Sequence, residues 1–439
     1  DVARDAVGMT AGAARTYRFP TGWGADDAWR ALRARGCDVS QAWTDNHYGW
    51  VVWGCAAYAR RLPTRWRELW TPEHVLARLQ RHHAREHGGA RSALRRILER
   101  DAAPQQPMVL CVARVDGAGA CIDVTDGWYG MRARVDGVLA AAIARGRLRA
   151  GDKIACAGLT LHGLAAACAP LEPGARDAWL ALTANSVRRA AWDAVLGFQR
   201  AALAVPLAAV DAGGGAVGAT LDVVVARRYP PLFMETLGAA RLVRCAREEE
   251  RVALAHAARG LPPRRVAPLF RMRVCDYRGG ARLAAVTVWR ACDEYAPREG
   301  ARLRIAGATP TRFGAMPGEL GLSVGRAARM RPAAADAHAL ARSAYRARRV
   351  LRVDDLPRAV GAEVDVTGAV AAHTRGAGAQ LSVLRLRGAA ACVDIEYASA
   401  VFGCVAAAVG DCVTVRSCRV AAAAPAVRLR ADECSEFVV

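Results

Sequence analysis

Thr44-Asp-Asn-His-Tyr-Gly-Trp-Val-Val-Trp53 is the stretch that decides how the first quarter of the chain folds. Large apolar side chains around it, among them Trp43, Trp50 and Cys55, recur at the spacing of one helix face. A run of this kind predicts a helix over residues 43–61 that has an apolar face to bury.

Helix signals continue on both sides of that stretch. Asp26 and Asp27 are typical of a helix start, and Thr71-Pro72 supplies an N-cap followed by proline at the first helical position. We therefore expect an all-α domain over residues 1–105. Seven tryptophans lie on its helices, and the sequence leaves open whether they fill the core or form a partly exposed partner surface: Trp23, Trp29, Trp43, Trp50, Trp53, Trp66 and Trp70.

The pattern changes from Met108 onward to apolar residues at every second position, separated by Gly, Pro and Asp, which predicts strands. One phrase recurs three times: a glycine is followed by apolar residues at its third and fifth following positions, beginning at Gly151, Gly300 and Gly410. A strand pair that ends in aromatic residues precedes each phrase. This repeated order predicts three five-stranded OB barrels.

The predicted fold class is therefore α+β multidomain, an all-α domain followed by three OB-fold β-barrels. We place the first barrel at 106–246, the second at 262–350 and the third at 351–439. A charged helical linker is expected between the first two barrels at 247–261, because Glu248 to Arg259 is helical in pattern and ends at Gly260.

Positive charge is concentrated in one part of the chain. Of the 439 residues 62 are basic and 41 acidic, a net charge of +21, and Lys153 is the only lysine. The segments 1–110 and 111–261 carry +6 and +4, 262–350 carries +12, and 351–439 carries −1. More than half of the net charge thus lies on the second predicted barrel, as expected for a surface that receives a polyanion or an acidic protein.

The fourteen cysteines are scattered and include no CxxC pair, which favours buried free thiols in a reducing compartment. We find neither a signal peptide nor a membrane-spanning run, so the expected location is nuclear or cytoplasmic and no membrane partner is predicted. Because the chain starts at Asp1 and not at Met, we expect it to be part of a longer protein.

Two stretches resemble catalytic motifs. His83 to His87 matches H-x-x-E-H, but a Gly-Gly pair follows and nearby arginines repel a dication, so a solvated helix end is the better interpretation. Gly321 to Gly325 matches G-x-S-x-G without the helix that a nucleophile elbow requires, and we expect a strand there. The sequence therefore predicts no enzyme, no metal and no cofactor.

The second barrel carries arginines interleaved with aromatic residues. Phe270 alternates with Arg271 and Arg273, a pattern suited to single-stranded DNA, since guanidinium groups bind phosphates and rings stack on bases. Weaker hints of the same kind extend to the third barrel. The predicted DNA-binding residues are Phe270, Arg271, Arg273, Tyr277, Arg282, Trp289, Arg290, Arg302, Arg304, Arg385, Arg387, Tyr397 and Arg416.

Several of these stretches also carry a family resemblance. The sequence resembles the C-terminal DNA-binding region of the breast cancer type 2 susceptibility protein family, from about Trp23 to about Tyr397. The resembling stretches are Asn46 to Trp53, Arg91 to Asp101, Val109 to Val112, Thr125 to Tyr129, Gly146 to Ile154, Ala184 to Ser186 with Trp192, and Glu248 to Glu250.

The resemblance implies a helical domain and three OB folds, with single-stranded DNA held mainly by the second and third barrels. It also implies a nuclear protein that loads a RecA-like recombinase during homologous-recombination repair of double-strand breaks, and a small acidic partner of the split hand/split foot type. Residues expected to bind that partner are Trp43, His47, Trp50, Trp53, Trp66, Arg132 and Arg134.

The chain departs from the family pattern in the second barrel. Animal members insert a long helical tower there, whereas only a stub at Glu248 to Gly260 is visible. Recombinase-binding repeats are expected outside this chain. Two alternatives stay open: a scaffold that binds an acidic protein without a direct DNA role, and a metalloenzyme that uses His83 and His87.

Overall fold

The computed structural model of the chain describes residues 2–86, 91–116, 120–238, 240–289, 297–313, 315, 318–326, 328–376, 381–403, 405–422 and 427–439. They form two compact units, Asp1–Ser92 and Ala93–Val439. The first is helical and the second is built from β-barrels, which confirms the predicted fold class.

The helical unit packs around the long helix that the sequence predicted. The Ser40 hydroxyl caps this helix by accepting from the Trp43 amide at 3.1 Å. Tyr48 and Trp70 are buried in the core of the unit. The helices are α1 Val2–Gly8, α2 Ala11–Thr16, α3 Ala25–Ala34, α4 Gln41–Arg61, α5 Trp66–Leu69 and α6 Pro72–Glu86.

The second unit begins with a helix that seals the first barrel. Its side chains Leu94, Ile97 and Leu98 are buried in the barrel core, so this helix belongs to the barrel although the sequence assigned it to the helical domain. The elements are α7 Ala93–Leu98, β1 Met108–Val115, β2 Cys121–Thr125, β3 Gly130–Val135, α8 Gly137–Ala144, β4 Lys153–Cys156, β5 Thr160–His162, β6 Trp179–Leu182, β7 Val187–Arg189 and β8 Gly197–Phe198.

The second barrel starts earlier than the sequence predicted. Its first long strand covers residues 220–237, which the sequence placed in the first barrel. The elements are β9 Ala204–Val205, β10 Thr220–Leu237, β11 Ala240–Cys245, α9 Ala246–Ala258, β12 Val266–Asp276, β13 Leu283–Trp289, β14 Arg302–Ala306, β15 Thr309–Pro310, β16 Leu320–Val324, β17 Arg329–Ala333 and α10 Ala337–Arg342.

The third barrel follows the same plan and closes more completely, because its fourth strand pairs with both the first and the fifth. Tyr397 and Phe402 lie in its core. The elements are β18 Val350–Arg352, β19 Glu363–Thr374, β20 Ser382–Arg387, β21 Cys392–Tyr397, α11 Ser399–Phe402, β22 Cys412–Ala422, β23 Arg428–Arg430 and β24 Glu436–Val438.

All three barrels share one strand order. In each barrel, three antiparallel strands lie side by side in the sheet. A later strand pairs in parallel with the third of them, and another strand pairs with the first. The parallel pairs are β3 with β6, β13 with β16, and β21 with β23. This is the order of the OB fold, as the sequence predicted.

The recurring glycine phrase has one structural role in the three barrels. The amide of Gly151 donates to the Val112 carbonyl at 2.7 Å, that of Gly300 to Val225 at 2.8 Å, and that of Gly410 to Val370 at 2.9 Å. Each acceptor lies at a bulge of the barrel's first strand. All three glycines have positive φ, from 80° to 98°, a backbone region that favours glycine.

A short hairpin and a helix lie between the two long strands β10 and β12. β10 and β11 pair from Leu232 to Cys245, and α9 follows directly. At their base Arg264 bonds to Glu235 at 2.7 Å and to Glu249 at 2.8 Å, with all three side chains at most 11% exposed. Arg264 holds the pKa of Glu235 at about 2, because a hydrogen bond from guanidinium favours the ionised carboxylate.

Among the described residues, no helix combines the length and the apolar character that crossing a membrane requires.

Candidate nucleic-acid interface

The outer face of β12 and β13 is the surface on which the sequence placed most DNA contacts. The predicted alternation is present: Phe270 and Met272 point into the barrel core, and Arg271 and Arg273 lie on the opposite face. That face does not meet solvent. It lies against the third barrel, across a cavity of about 270 Å³ lined by both barrels.

Arg271 and Arg273 are ion-paired within this contact. Arg271 is 4% exposed and donates to Glu433 of the third barrel. Arg273 donates to Glu319 and Glu363, each at 2.9 Å, and both carboxylates are nearly buried. The two predicted DNA-binding arginines are therefore not open to a phosphate backbone here, because carboxylates already fill the positions that phosphates would take.

The predicted stacking rings are also used internally. Phe270 is 3% exposed and Tyr277 5% exposed, so neither presents a face on which a base could stack. Trp289 is half-buried, stacks on Phe313 with ring centres 5.5 Å apart and donates to Ser323 at 2.9 Å. Tyr397 is a core residue whose hydroxyl lies 2.7 Å from Nε2 of His373. The rings thus fill packing positions within the barrels.

The remaining arginines predicted on the second barrel differ in whether their guanidinium groups have hydrogen-bond or ion-pair partners. Arg282 donates to three backbone carbonyls, the shortest bond being 3.1 Å to Leu207. Arg302 forms a bidentate pair with Asp222 at 2.6 and 2.7 Å. Arg304 is exposed and has no partner among the described residues. Arg290 lies outside the described residues.

The outer face of the third barrel, made by β20, β21 and β23, is open and basic. Arg385 and Arg387 project from β20, the first paired with Asp394 at 2.6 Å and the second without a described partner. Strand pairing adds two arginines that the sequence did not single out, Arg428 and Arg430. Both remain more than half exposed although Glu396 lies within 3.7 and 3.4 Å.

Four arginines thus surround two carboxylates on this face, which leaves an excess of positive charge. Arg416 lies elsewhere on the barrel, exposed and paired with Glu436 at 3.0 Å. The sequence did hold a signal for the missed pair, since Arg428-Leu-Arg430 alternates like Arg385-Leu-Arg387. The module's net charge of −1 hid that signal, because it sums over all faces.

In the helical unit, the predicted partner-binding residues divide into two groups. Trp50 and Trp53 are 58% and 39% exposed, with ring centres 6.2 Å apart on one side of α4. Trp43, His47 and Trp66 are half-buried. Trp43 and His47 both bond to Glu86, at 2.7 and 3.0 Å, and thereby join α4 to α6.

On the first barrel, Arg132 and Arg134 project from β3 into solvent. The guanidinium of Arg134 lies 4.4 Å from the ring centre of Trp179. Both remain predicted partner-binding residues.

His47, His82 and Glu86 offer the one group of donor atoms, within the described residues, that is close enough for a metal, all within 4.8 Å of one another. His47 in this cluster already bonds to Glu86 at 3.0 Å, and burial, with smaller effects from His47, Arg78 and Arg85, lowers the pKa of His82. His87, the second histidine of the H-x-x-E-H motif, lies outside the described residues. Ser323 of the G-x-S-x-G motif lies in strand β16, as the sequence predicted.

Comparison with known proteins agrees with the sequence resemblance. Residues 22–86 match the family model of the BRCA2 helical domain, and residues 92–200 match that of BRCA2 oligonucleotide/oligosaccharide-binding domain 1. Two Arabidopsis thaliana proteins, BREAST CANCER SUSCEPTIBILITY 2 homologs A and B, are 34% and 33% identical over 264 residues. The alignment covers 55% of this chain but 22% of each relative, so the chain spans a small part of their length.

Among solved structures, a replication protein A heterotrimer bound to single-stranded DNA aligns with 53% of this chain and 51% of its own, at 11% identity and a TM-score of 0.32. The family models and the plant relatives confirm the resemblance over residues 22–200: the chain carries the helical domain and the first OB domain of the BRCA2 family.

Proposed function

We propose that this chain binds single-stranded DNA and acts as a recombination mediator that supports loading of a RecA-like recombinase in double-strand break repair. The observation that carries the DNA-binding part is the open face of β20, β21 and β23, where four exposed arginines surround two carboxylates. The mediator role and a nuclear location rest on the family to which the chain belongs.

The basic face suits a sequence-independent interaction with the phosphate backbone. Guanidinium groups match phosphate oxygens through paired hydrogen bonds, and Arg387 has no described carboxylate to compete for its donors. An incoming phosphate can also replace the exposed contacts of Arg428 and Arg430 with Glu396, since surface ion pairs contribute little energy. Because no aromatic residue lies on these three strands facing out, we expect binding without base preference.

Salt-dependent fluorescence anisotropy with a labelled oligothymidine tests the DNA-binding part. Each phosphate contact contributes about −0.7 to the slope of log K against log salt for single strands, so the Arg387→Ala/Arg430→Ala variant should reduce the slope by about 1.4. The matched control is Arg114→Ala/Arg189→Ala, which removes two exposed arginines from the first barrel. Absence of binding at low salt, or an equal loss in the control, would contradict the proposal.

The acidic partner is a separate part of the proposal. Exposed Trp50 and Trp53 provide apolar anchors on the helical unit, and Arg132 and Arg134 provide charge on the first barrel. Partner binding can be measured by titrating an acidic peptide against Trp50→Ser/Trp53→Ser and Arg132→Ala/Arg134→Ala. Recombinase contacts are expected outside this chain, so the loading role is tested by joining the chain to those regions and following filament formation on coated DNA.

A further inference from the structure

The net charge of +12 on residues 262–350 is not spread evenly over the second barrel. Several arginines of this segment are engaged internally. Arg264, Arg271, Arg273, Arg302 and Arg348 are neutralised in ion pairs, and Arg282 and Arg346 donate to backbone carbonyls. Of the exposed arginines that remain, Arg304, Arg329 and Arg331 lie on two paired strands and have no partner among the described residues. Part of the charge available for binding is therefore found at their positions.

Strand pairing brings these three arginines together. β14 and β17 are antiparallel, and their register sets Arg304 directly opposite Arg331 and Ala306 opposite Arg329. Alternation puts Leu303 and Ile305 into the barrel core and the arginines on the outer face. We call Arg304, Arg329 and Arg331 the arginine ladder.

The local carboxylate does not neutralise the arginine ladder. Asp222 of β10 lies next to Arg304 in the register, but both of its oxygens accept hydrogen bonds from Arg302. Like charges directly opposite on neighbouring strands destabilise a sheet, and here the pair Arg304 and Arg331 is retained without compensation. A bound anion between the two guanidinium groups would remove that repulsion.

The spacing of the ladder suits a polymer of phosphates. Opposite residues in a sheet are about 5 Å apart, and residues two positions apart on one strand about 7 Å apart, so the three side chains reach more than one phosphate. The outward residues of these two strands are arginines and alanines only, whereas a protein partner needs apolar or aromatic anchors. The composition of this face therefore favours a nucleic-acid backbone over an acidic polypeptide.

We propose that the arginine ladder is a second phosphate-binding site for single-stranded DNA, located on β14 and β17 and separate from the basic face of the third barrel. This inference rests on the proposed function. It replaces the buried outer face of β12 and β13 as the contribution of the second barrel to DNA binding.

The experiment compares Arg304→Ala/Arg331→Ala with Arg114→Ala/Arg189→Ala, because both variants remove two exposed positive charges. Anisotropy of labelled oligothymidine between 50 and 200 mM salt should show the slope reduced by about 1.4 in the ladder variant and nearly unchanged in the control. A thermal melt of each variant identifies any effect that comes from unfolding, and surface changes of this kind should leave the melting temperature nearly unchanged.

The outcomes separate this inference from the proposed function. If Arg387→Ala/Arg430→Ala lowers the slope while the ladder variant does not, the ladder inference is overturned and the third-barrel site stands. If the wild-type chain does not bind oligothymidine at 50 mM salt, both are overturned. If the ladder variant loses affinity for a polyglutamate peptide but keeps its DNA slope, the ladder binds acidic protein and the inference is wrong.

Discussion

Replacing Arg273 with methionine tests whether the second barrel's predicted DNA-binding arginines are structural. Arg273 contacts Glu319 and Glu363 at 2.9 Å, and the three side chains are 15%, 11% and 12% exposed. The variant leaves two nearly buried carboxylates without their cation, and breaking such a buried pair costs about 3–5 kcal/mol. For a unit the size of two barrels this lowers Tm by about 6–20 °C.

The assay is unfolding followed by circular dichroism, by heat and by urea, for Arg273→Met and for Arg304→Met as the matched control. Both remove one arginine from the same barrel, but Arg304 is exposed and has no described partner, so its loss should change stability by about 0.5 kcal/mol at most. Adding Glu363→Gln to Arg273→Met should restore part of the stability, because a neutral amide is less costly to bury than a charge.

Equal stability of Arg273→Met and Arg304→Met would refute this reasoning. So would a reduced salt slope for DNA binding in a fully folded Arg273→Met, since it would mean that Arg273 contacts phosphate and that the two barrels are apart in solution.

Three further predictions concern the base of the β10–β11 hairpin, the helical unit and the barrel turns. Because the folded pKa of Glu235 is about 2 and the unfolded value about 4.3, the stabilisation that Glu235 provides is present above pH 4.3 and is lost as pH falls toward 2. In urea titrations at neutral pH the free energy of unfolding of wild type should exceed that of Glu235→Gln by about 3 kcal/mol, and the difference should vanish near pH 2. Trp50→Ser/Trp53→Ser should leave Tm within a few degrees of wild type and weaken the binding of an acidic partner in calorimetric titration. Trp70→Ser, which removes a buried ring, should instead unfold the helical unit. Unchanged partner affinity in the double variant would contradict the role of Trp50 and Trp53 as exposed anchors. Gly410→Ala should cost about 1–2 kcal/mol in denaturant unfolding because its φ is 98°, whereas Gly325→Ala, whose φ is not in that region, should cost less.

The fold could be predicted from the sequence wherever local patterns determine it. The three glycine phrases predicted three barrels because each glycine has the same positive φ and the same bond to a bulged first strand. The start of the second barrel could not be predicted in this way. β10 is separated from β12 by the β11 hairpin and α9, so the chain neighbours of β10 suggested the wrong barrel.

The candidate site could be predicted only in part, because ion pairs join residues far apart in sequence. Alternation correctly placed Arg271 and Arg273 on one face, but Glu363 is ninety residues from Arg273 and Glu433 is 162 from Arg271. Nothing local to 270–277 indicates that a neighbouring barrel supplies these carboxylates. Arg329 and Arg331 were missed because their role depends on pairing with β14.

The net charge of a barrel thus does not show which of its faces binds DNA. The second barrel has the largest positive charge, yet the face expected to bind DNA is neutralised by the third barrel, and three of its exposed arginines lie together on β14 and β17. The third barrel has a net charge of −1 and still presents four exposed arginines, because several of its acidic residues, among them Glu363, Asp365 and Glu433, pair with arginines on other surfaces. Its acidic residues hold the two barrels together, and the positive charge that remains for DNA lies on other faces, namely the arginine ladder and the open face of β20, β21 and β23.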